Sequence, residues 1–146
     1  MSKPSDNDLF YTCSLVEYIG RKQKLRRGEV VKYLGKYFRR IYFDAPILHC
    51  EPIAKIADEF IELCQIPTGD YDNIGTCKYR IPDYWDIGDV FERLIHDVNE
   101  GEDIMDTAEK IYDSWVTDAL EMFNTDFYYQ SRECIYETYR AGGYID

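Results

Sequence analysis

Three residues in the first third of the chain have the types that a nucleophilic site needs: Asp44, His49 and Cys50. A thiol becomes a nucleophile when an imidazole lowers its pKa and a third group orients that imidazole. No glycine-rich oxyanion turn adjoins these residues, and their spacing fixes no mutual geometry. The plainer expectation is structural. Asp44 caps a turn, and His49 bonds to backbone at the start of the next helix. The set stands as the enzymatic alternative.

Metal chemistry has less to build on. The five cysteines, at positions 13, 50, 64, 77 and 134, contain no C-x-x-C pair. Adjacent His49 and Cys50 do not face one point, and a helix between Cys50 and Cys64 separates them by about 20 Å. No metal site and no cofactor is expected. The odd cysteine count, without a signal-like or membrane-spanning hydrophobic run, reads as reduced thiols in a cytoplasmic protein.

Other carboxylates have ordinary explanations. Asp83, Asp86 and Asp89, and likewise Glu100, Glu102 and Asp103, fall in or before first helical turns, where the helix dipole favours them. Neither set matches a calcium loop. His96 sits at the boundary of an apolar stripe. Phosphate-binding glycine loops, G-x-S-x-G and H-E-x-x-H are all absent from the sequence.

Charge is the stronger signal. The net charge is −11, but residues 1–50 hold ten Lys and Arg against five Asp and Glu, and the remainder holds seven against 23. The cations concentrate in residues 21–40: Arg21, Lys22, Lys24, Arg26, Arg27, Lys32, Lys36, Arg39 and Arg40, with Glu29 the one acid. Helix, short turn and second helix is the outline of a DNA-reading pair, so this segment carries the nucleic-acid alternative. The anionic remainder would be repelled by phosphate. An acidic partner surface, or the chain's own acidic half, suits these cations better.

That acidic half is also rich in tyrosine. The chain has 14 Tyr, and Tyr128, Tyr129, Tyr136 and Tyr139 lie close together near its end. Tyrosine joins a large apolar face to a polar tip, and carboxylates around such anchors suit a cationic groove on another protein. These four are the candidate partner-binding residues.

The elements that must position these groups read as helices. A chain of 146 residues is one domain by length. Apolar periodicity predicts helices at about 8–22, 28–34, 36–45, 51–65, 84–98, 102–123 and 126–141. Residues 1–7 form a polar tail offering the N-caps Ser5, Asp6 and Asn7. Gly20 weakens the end of the first helix, and Pro46 interrupts the third. The segment 51–65, headed by Pro52, sets Ile53, Ile56, Ala57, Phe60, Ile61 and Cys64 on one stripe and is the expected centre of the core. The 102–123 helix buries Ile104, Ala108, Ile111, Trp115, Ala119 and Met122. Thr125 caps the last, whose inward residues are Phe127, Ser131, Cys134, Ile135 and Thr138. Residues 66–83 form a long structured loop, with an extended piece at Thr76 to Ile81. The fold class is all-α: a single-domain bundle of about seven helices, with a basic-then-central half over 8–65 and an acidic three-helix half over 84–142.

One resemblance adds to this. The run Val16-Glu17-Tyr18-Ile19, then Gly28-Glu29-Val30-Val31-Lys32-Tyr33-Leu34, Ile41-Tyr42, Asp44, Leu48-His49 and Ile53 through Ala57-Asp58-Glu59-Phe60-Ile61 resembles a small bacterial helical family of unknown function. Its members are often encoded beside ADP-ribosyltransferase-like proteins, an arrangement like a toxin–antitoxin module. The chain departs from that pattern at Glu51-Pro52 and lacks a Ser or Thr cap before Gly28. The resemblance implies an antitoxin-like or accessory role and transfers no catalytic residue. The expected function is therefore non-enzymatic: an interaction module, inhibitory or antitoxin-like, for another bacterial or phage protein, with no membrane partner.

Overall fold

The computed structural model describes residues 6–143, so most of the polar tail, including the cap candidate Ser5, lies outside the described residues. The chain is one all-α domain. Among the described residues, eight α-helices and one 3-10 turn run in the order α1 (Asp6–Gln23), α2 (Arg27–Leu34), α3 (Tyr37–Leu48), α4 (Ile53–Leu63), α5 (Tyr84–Val98), α6 (Ile104–Tyr112), α7 (Trp115–Leu120), the 3-10 turn (Phe127–Tyr129) and α8 (Arg132–Ala141). No strand forms among the described residues, and Thr76 to Ile81 stays irregular. No helix among them is long and apolar enough to cross a membrane.

The core is built around α1, not around the 53–63 helix. From Tyr11 to Gly20 every α1 residue except Tyr18 is buried. It packs against α2, α3, α4 and above all α5. The α1–α5 crossing is close because Gly88 lacks a side chain: a Cβ there would lie 2.9 Å from the Ser14 backbone nitrogen. Helix α4 buries only Ile56 and Ala57 completely, and the rest of its stripe is half-buried. A strong apolar stripe marks a helix with one covered side, which places it at the periphery. A central helix is covered all round, so its polar residues must find partners inside. Thr12 does so by donating its hydroxyl to the Asp8 carbonyl at 2.7 Å.

Several boundaries shift for local reasons. Helix α1 runs past Gly20 to Gln23 and closes with Lys24 at φ +55° while the Leu25 N–H reaches the Gly20 carbonyl at 3.1 Å. Helix α4 closes the same way, with Gln65 at φ +51° and the Ile66 N–H bonded to the Ile61 carbonyl at 3.0 Å. In both closures the next residue, Leu25 or Ile66, is buried and holds the turn. Helix α3 continues through Pro46 to Leu48. The proline removes one bond in the last turn, where little helix remains to be broken.

The expected 102–123 helix is two helices. Ser114 and Thr117 both donate hydroxyls to the Ile111 carbonyl, at 2.7 and 2.6 Å. They take the acceptor that the next helical N–H would have used. The break resets the phase, so Val116 and Leu120 are buried while Trp115 and Met122 are exposed. The last segment also divides. Thr125 does not cap it but donates to the Met122 carbonyl at 3.0 Å, and Ser131 caps α8 by accepting the Cys134 N–H at 3.1 Å. Ser131 and Cys134 are therefore exposed, whereas Phe127, Ile135 and Thr138 are buried as expected. Asp83 caps α5 in a reciprocal box with Asp86.

Candidate functional site

The basic segment lies against the acidic half of the same chain. Arg27 is completely buried, so it leaves the set of surface cations. Its guanidinium donates to both Glu17 oxygens at 2.9 and 2.8 Å, to the Asn73 amide oxygen at 3.0 Å and to the Leu25 carbonyl at 2.9 Å. Its backbone N–H donates to Glu121 at 2.9 Å, so a carboxylate from the end of α7 caps the first turn of α2. Gly20 makes room, since a Cβ there would sit 2.5 Å from the Arg27 side chain. Asn73 closes the cluster by donating to the Glu121 carbonyl at 2.8 Å.

The two carboxylates of this cluster differ. Burial alone would raise Glu17, but the Arg27 and Arg21 charges outweigh it and hold Glu17 below the usual carboxylate range. Burial raises Glu121 to about 7, with Arg27 opposing and the Glu17 charge adding to the rise. Glu17 is held by two guanidinium groups at close range, whereas Glu121 meets Arg27 chiefly through its backbone N–H and Arg26 only at 3.4 Å, so its burial is less fully compensated.

The other cations are mostly engaged too. Arg21 pairs with Glu17 at 2.7 Å, donates to the Pro82 carbonyl at 2.7 Å and lies 5.3 Å from the Phe123 ring centre. Arg26 reaches Glu121 at 3.4 Å and Asp118 at 3.5 Å over the Tyr71 ring. Lys22 pairs with Asp58, and Lys32 with Asp113 at 3.6 Å. Arg39 is held by Asp103 at 3.1 Å, Glu109 at 3.2 Å and Asp106, and Arg40 by Asp44 at 2.8 Å. Lys24 and Lys36 are exposed without an ion pair among the described residues.

The presumed nucleophilic set is not assembled. Asp44 is bound to Arg40, the Cys50 thiol turns 3.6 Å from the Pro46 carbonyl, and the His49 ring meets Tyr11 edge-on at 6.5 Å. No hydrogen bond joins the three. All five cysteines are free thiols. Among the described residues no three His, Cys, Asp or Glu side chains converge as metal ligands.

The feature that remains open is aromatic. After α4 the chain wraps as an ordered loop over residues 64–83, tied down at several points. Gly69 and Tyr71 donate backbone N–H groups to the Gln23 and Lys24 carbonyls at 2.7 and 2.9 Å, and Gln23 returns a side-chain bond to Ile66 at 2.9 Å. Asn124 then grips the loop as a strand would. Its amide oxygen accepts the Lys78 N–H at 2.8 Å and its amide nitrogen donates to the Thr76 carbonyl at 3.1 Å. Between this loop and the 3-10 turn lies a groove of about 630 Å³, with Tyr79, Phe123, Tyr128 and Tyr129 as aromatic walls and Arg80 and Asp126 at its edge. Tyr129 is 82% exposed and Tyr79 68% exposed. Tyr128 is half-buried, edge-on to Phe123 at 5.6 Å, so one tyrosine is fixed and two project.

The four tyrosines singled out in the sequence do not share one contact set. Tyr128 and Tyr129 meet in this groove. On α8, Tyr139 stacks on Trp115 at 6.4 Å and Tyr136 lies 6.0 Å from the Arg140 guanidinium. Tyr79 and Phe123 come from the 64–83 loop and from the turn after α7, irregular segments with no period to read. A second groove, of about 610 Å³ between α2 and α6, is lined by Lys32 and Lys110 together with Glu102, Asp106, Glu109 and Asp113. Charges of both signs face each other there, and Asp113 and Asp106 are already paired.

No family model, curated protein or solved structure matches this chain.

Proposed function

We propose that this chain is a non-enzymatic protein-interaction module, and that its partner is another bacterial or phage protein, held in the inhibitory, antitoxin-like manner that the resemblance of residues 8–63 implies. One observation carries the reading: the preformed groove in which Tyr79 and Tyr129 project into solvent beside Tyr128 and Phe123. Exposed tyrosines on an anchored frame are the residues that dominate binding energy at protein interfaces. The charge balance favours the same reading. Most cations of residues 21–40 are engaged with acids of the same chain, and acids still exceed cations by 11 over the whole sequence, a balance suited to a basic partner.

The test is a tagged capture from the native host at low and high salt, with bound protein and nucleic acid both quantified. The expected result is one stoichiometric protein, released as salt rises. Recovery of nucleic acid alone would defeat the reading, as would an empty capture.

A further inference from the structure

The aromatic groove does not end at its walls. Phe123 and Asn124 also line a smaller lobe of about 290 Å³, which adds Asp70, Tyr71, Asp72 and Met122. The two lobes are thus neighbours across one ridge, with different chemistry. The first offers three tyrosine faces, with Arg80 and Asp126 cancelling in charge. The second offers two aspartates and no cation in its lining. Arg26 lies 4.4 Å from the Tyr71 ring beneath it but is already paired with Asp118 and Glu121. Asp70 and Asp126 make no ion pair among the described residues, and Asp72 is held in place by accepting the Gly75 N–H at 2.7 Å.

The backbone beside the first lobe is open as well. Asn124 occupies one edge of the loop at Thr76 and Lys78, while the N–H groups of Tyr79, Arg80 and Ile81 donate to no acceptor among the described residues. An extended chain could use such donors. It also places side chains i and i+2 on the same side, about 7 Å apart, the scale of two adjoining lobes.

We propose that this two-lobed groove binds an extended, basic segment of a partner protein. An apolar or aromatic side chain lodges between Tyr79, Tyr128 and Tyr129, and a Lys or Arg two positions away faces Asp70 and Asp72. The first lobe carries no net charge, since Arg80 is opposed by Asp126, so the second lobe, with Asp70 and Asp72 and no cation in its lining, is the favourable place for the Lys or Arg. The frame is anchored before binding, so little ordering opposes association. This inference rests on the interaction-module reading and adds the site and the chemistry of what it takes.

The test pans a random peptide library on the full chain and measures the enriched peptides by fluorescence polarisation. Enriched peptides should share an apolar or aromatic residue and a Lys or Arg at i, i+2 spacing. Tyr79→Ala/Tyr129→Ala should weaken binding by about tenfold or more, as loss of central aromatic anchors does. Asp70→Asn should weaken it by about threefold, and less at high salt. All three residues are exposed or project from the surface, and circular dichroism on the variants checks that they fold. No enrichment, acidic consensus peptides, or equal binding by the Tyr79→Ala/Tyr129→Ala variant would overturn the inference. The two readings fail differently. A host partner retained equally by that variant removes the groove and leaves the module. Groove-binding peptides without any stoichiometric host partner leave the groove and remove the module.

Discussion

The Arg27 cluster and the tyrosine groove are both places where polar or aromatic groups sit against the usual pattern, and they resolve it in opposite ways. Inside, Arg27, Glu17, Asn73 and Glu121 consume one another's hydrogen bonds. Outside, Tyr79 and Tyr129 have little of their surface covered by the fold. Asn73 belongs to the same loop that forms a wall of the groove, so the two regions are mechanically joined. The satisfied cluster holds the frame, and the unsatisfied groove is what the frame presents. A charge or an aromatic ring is informative about function only after its partners inside the chain have been counted.

The largest effect should come from breaking the buried side. Arg27→Ala removes the one fully buried cation between two enclosed carboxylates, leaving them only the more exposed Arg21 and Arg26, and should cost about 3–5 kcal/mol of unfolding free energy, measured by urea denaturation. If the loss were below 1 kcal/mol, the cluster would be incidental to the frame.

The next effect is pH-dependent. Glu121 titrates near 7 in the folded chain, above its ordinary 4.5. A raised carboxylate contributes stability that is full below the unfolded pKa and lost as pH rises through the folded one. Stability should therefore fall between pH 4.5 and 7, by as much as about 3 kcal/mol from this group. Glu17 has the opposite sign: held low, it contributes stability above its ordinary pKa that is lost as pH falls through its folded value. Denaturation midpoints across pH 4–8 should thus decline on the neutral side, and Glu121→Gln should flatten that decline. A slope unchanged in Glu121→Gln would assign it to another group.

A smaller change sharpens the packing side. Gly88→Ala forces a Cβ toward the Ser14 backbone at the α1–α5 crossing and should cost about 1–3 kcal/mol by overpacking, read as a lowered thermal midpoint. Gln65→Gly should do the reverse. It relieves a left-handed residue at the end of α4 and should stabilise by about 0.5–1 kcal/mol. Smallest of all, Tyr79→Ala/Tyr129→Ala should shift stability by no more than about 0.5 kcal/mol, since both rings are mostly in water. Loss of binding without loss of stability is the signature that separates the groove from the cluster.

Much of the frame was legible from periodicity. The helix at 84–98 and the place of Asp83 and Asp86 before and in its first turn follow from local spacing, and α5 runs over Tyr84–Val98 with Asp83 as its cap. The centre of the core did not follow, because α1 carries Thr12, Ser14 and Glu17 on sides that burial later covers. Nor did the break at Asp113 and Ser114, which depends on two hydroxyls competing for one carbonyl.

The sequence by itself determined an all-α chain with its cations gathered in residues 21–40, its acids after residue 50 and an excess of tyrosine, because composition and period are local properties. Only the tertiary structure decided which charges are partners. Arg27 finds Asn73 and Glu121 across 46 and 94 residues. It also decided that Tyr79 would stand beside Tyr128 and Tyr129, a loop and a 3-10 turn joined through Asn124. Contacts between residues so distant along the chain leave no period to read, since they exist only once the helices between them have packed.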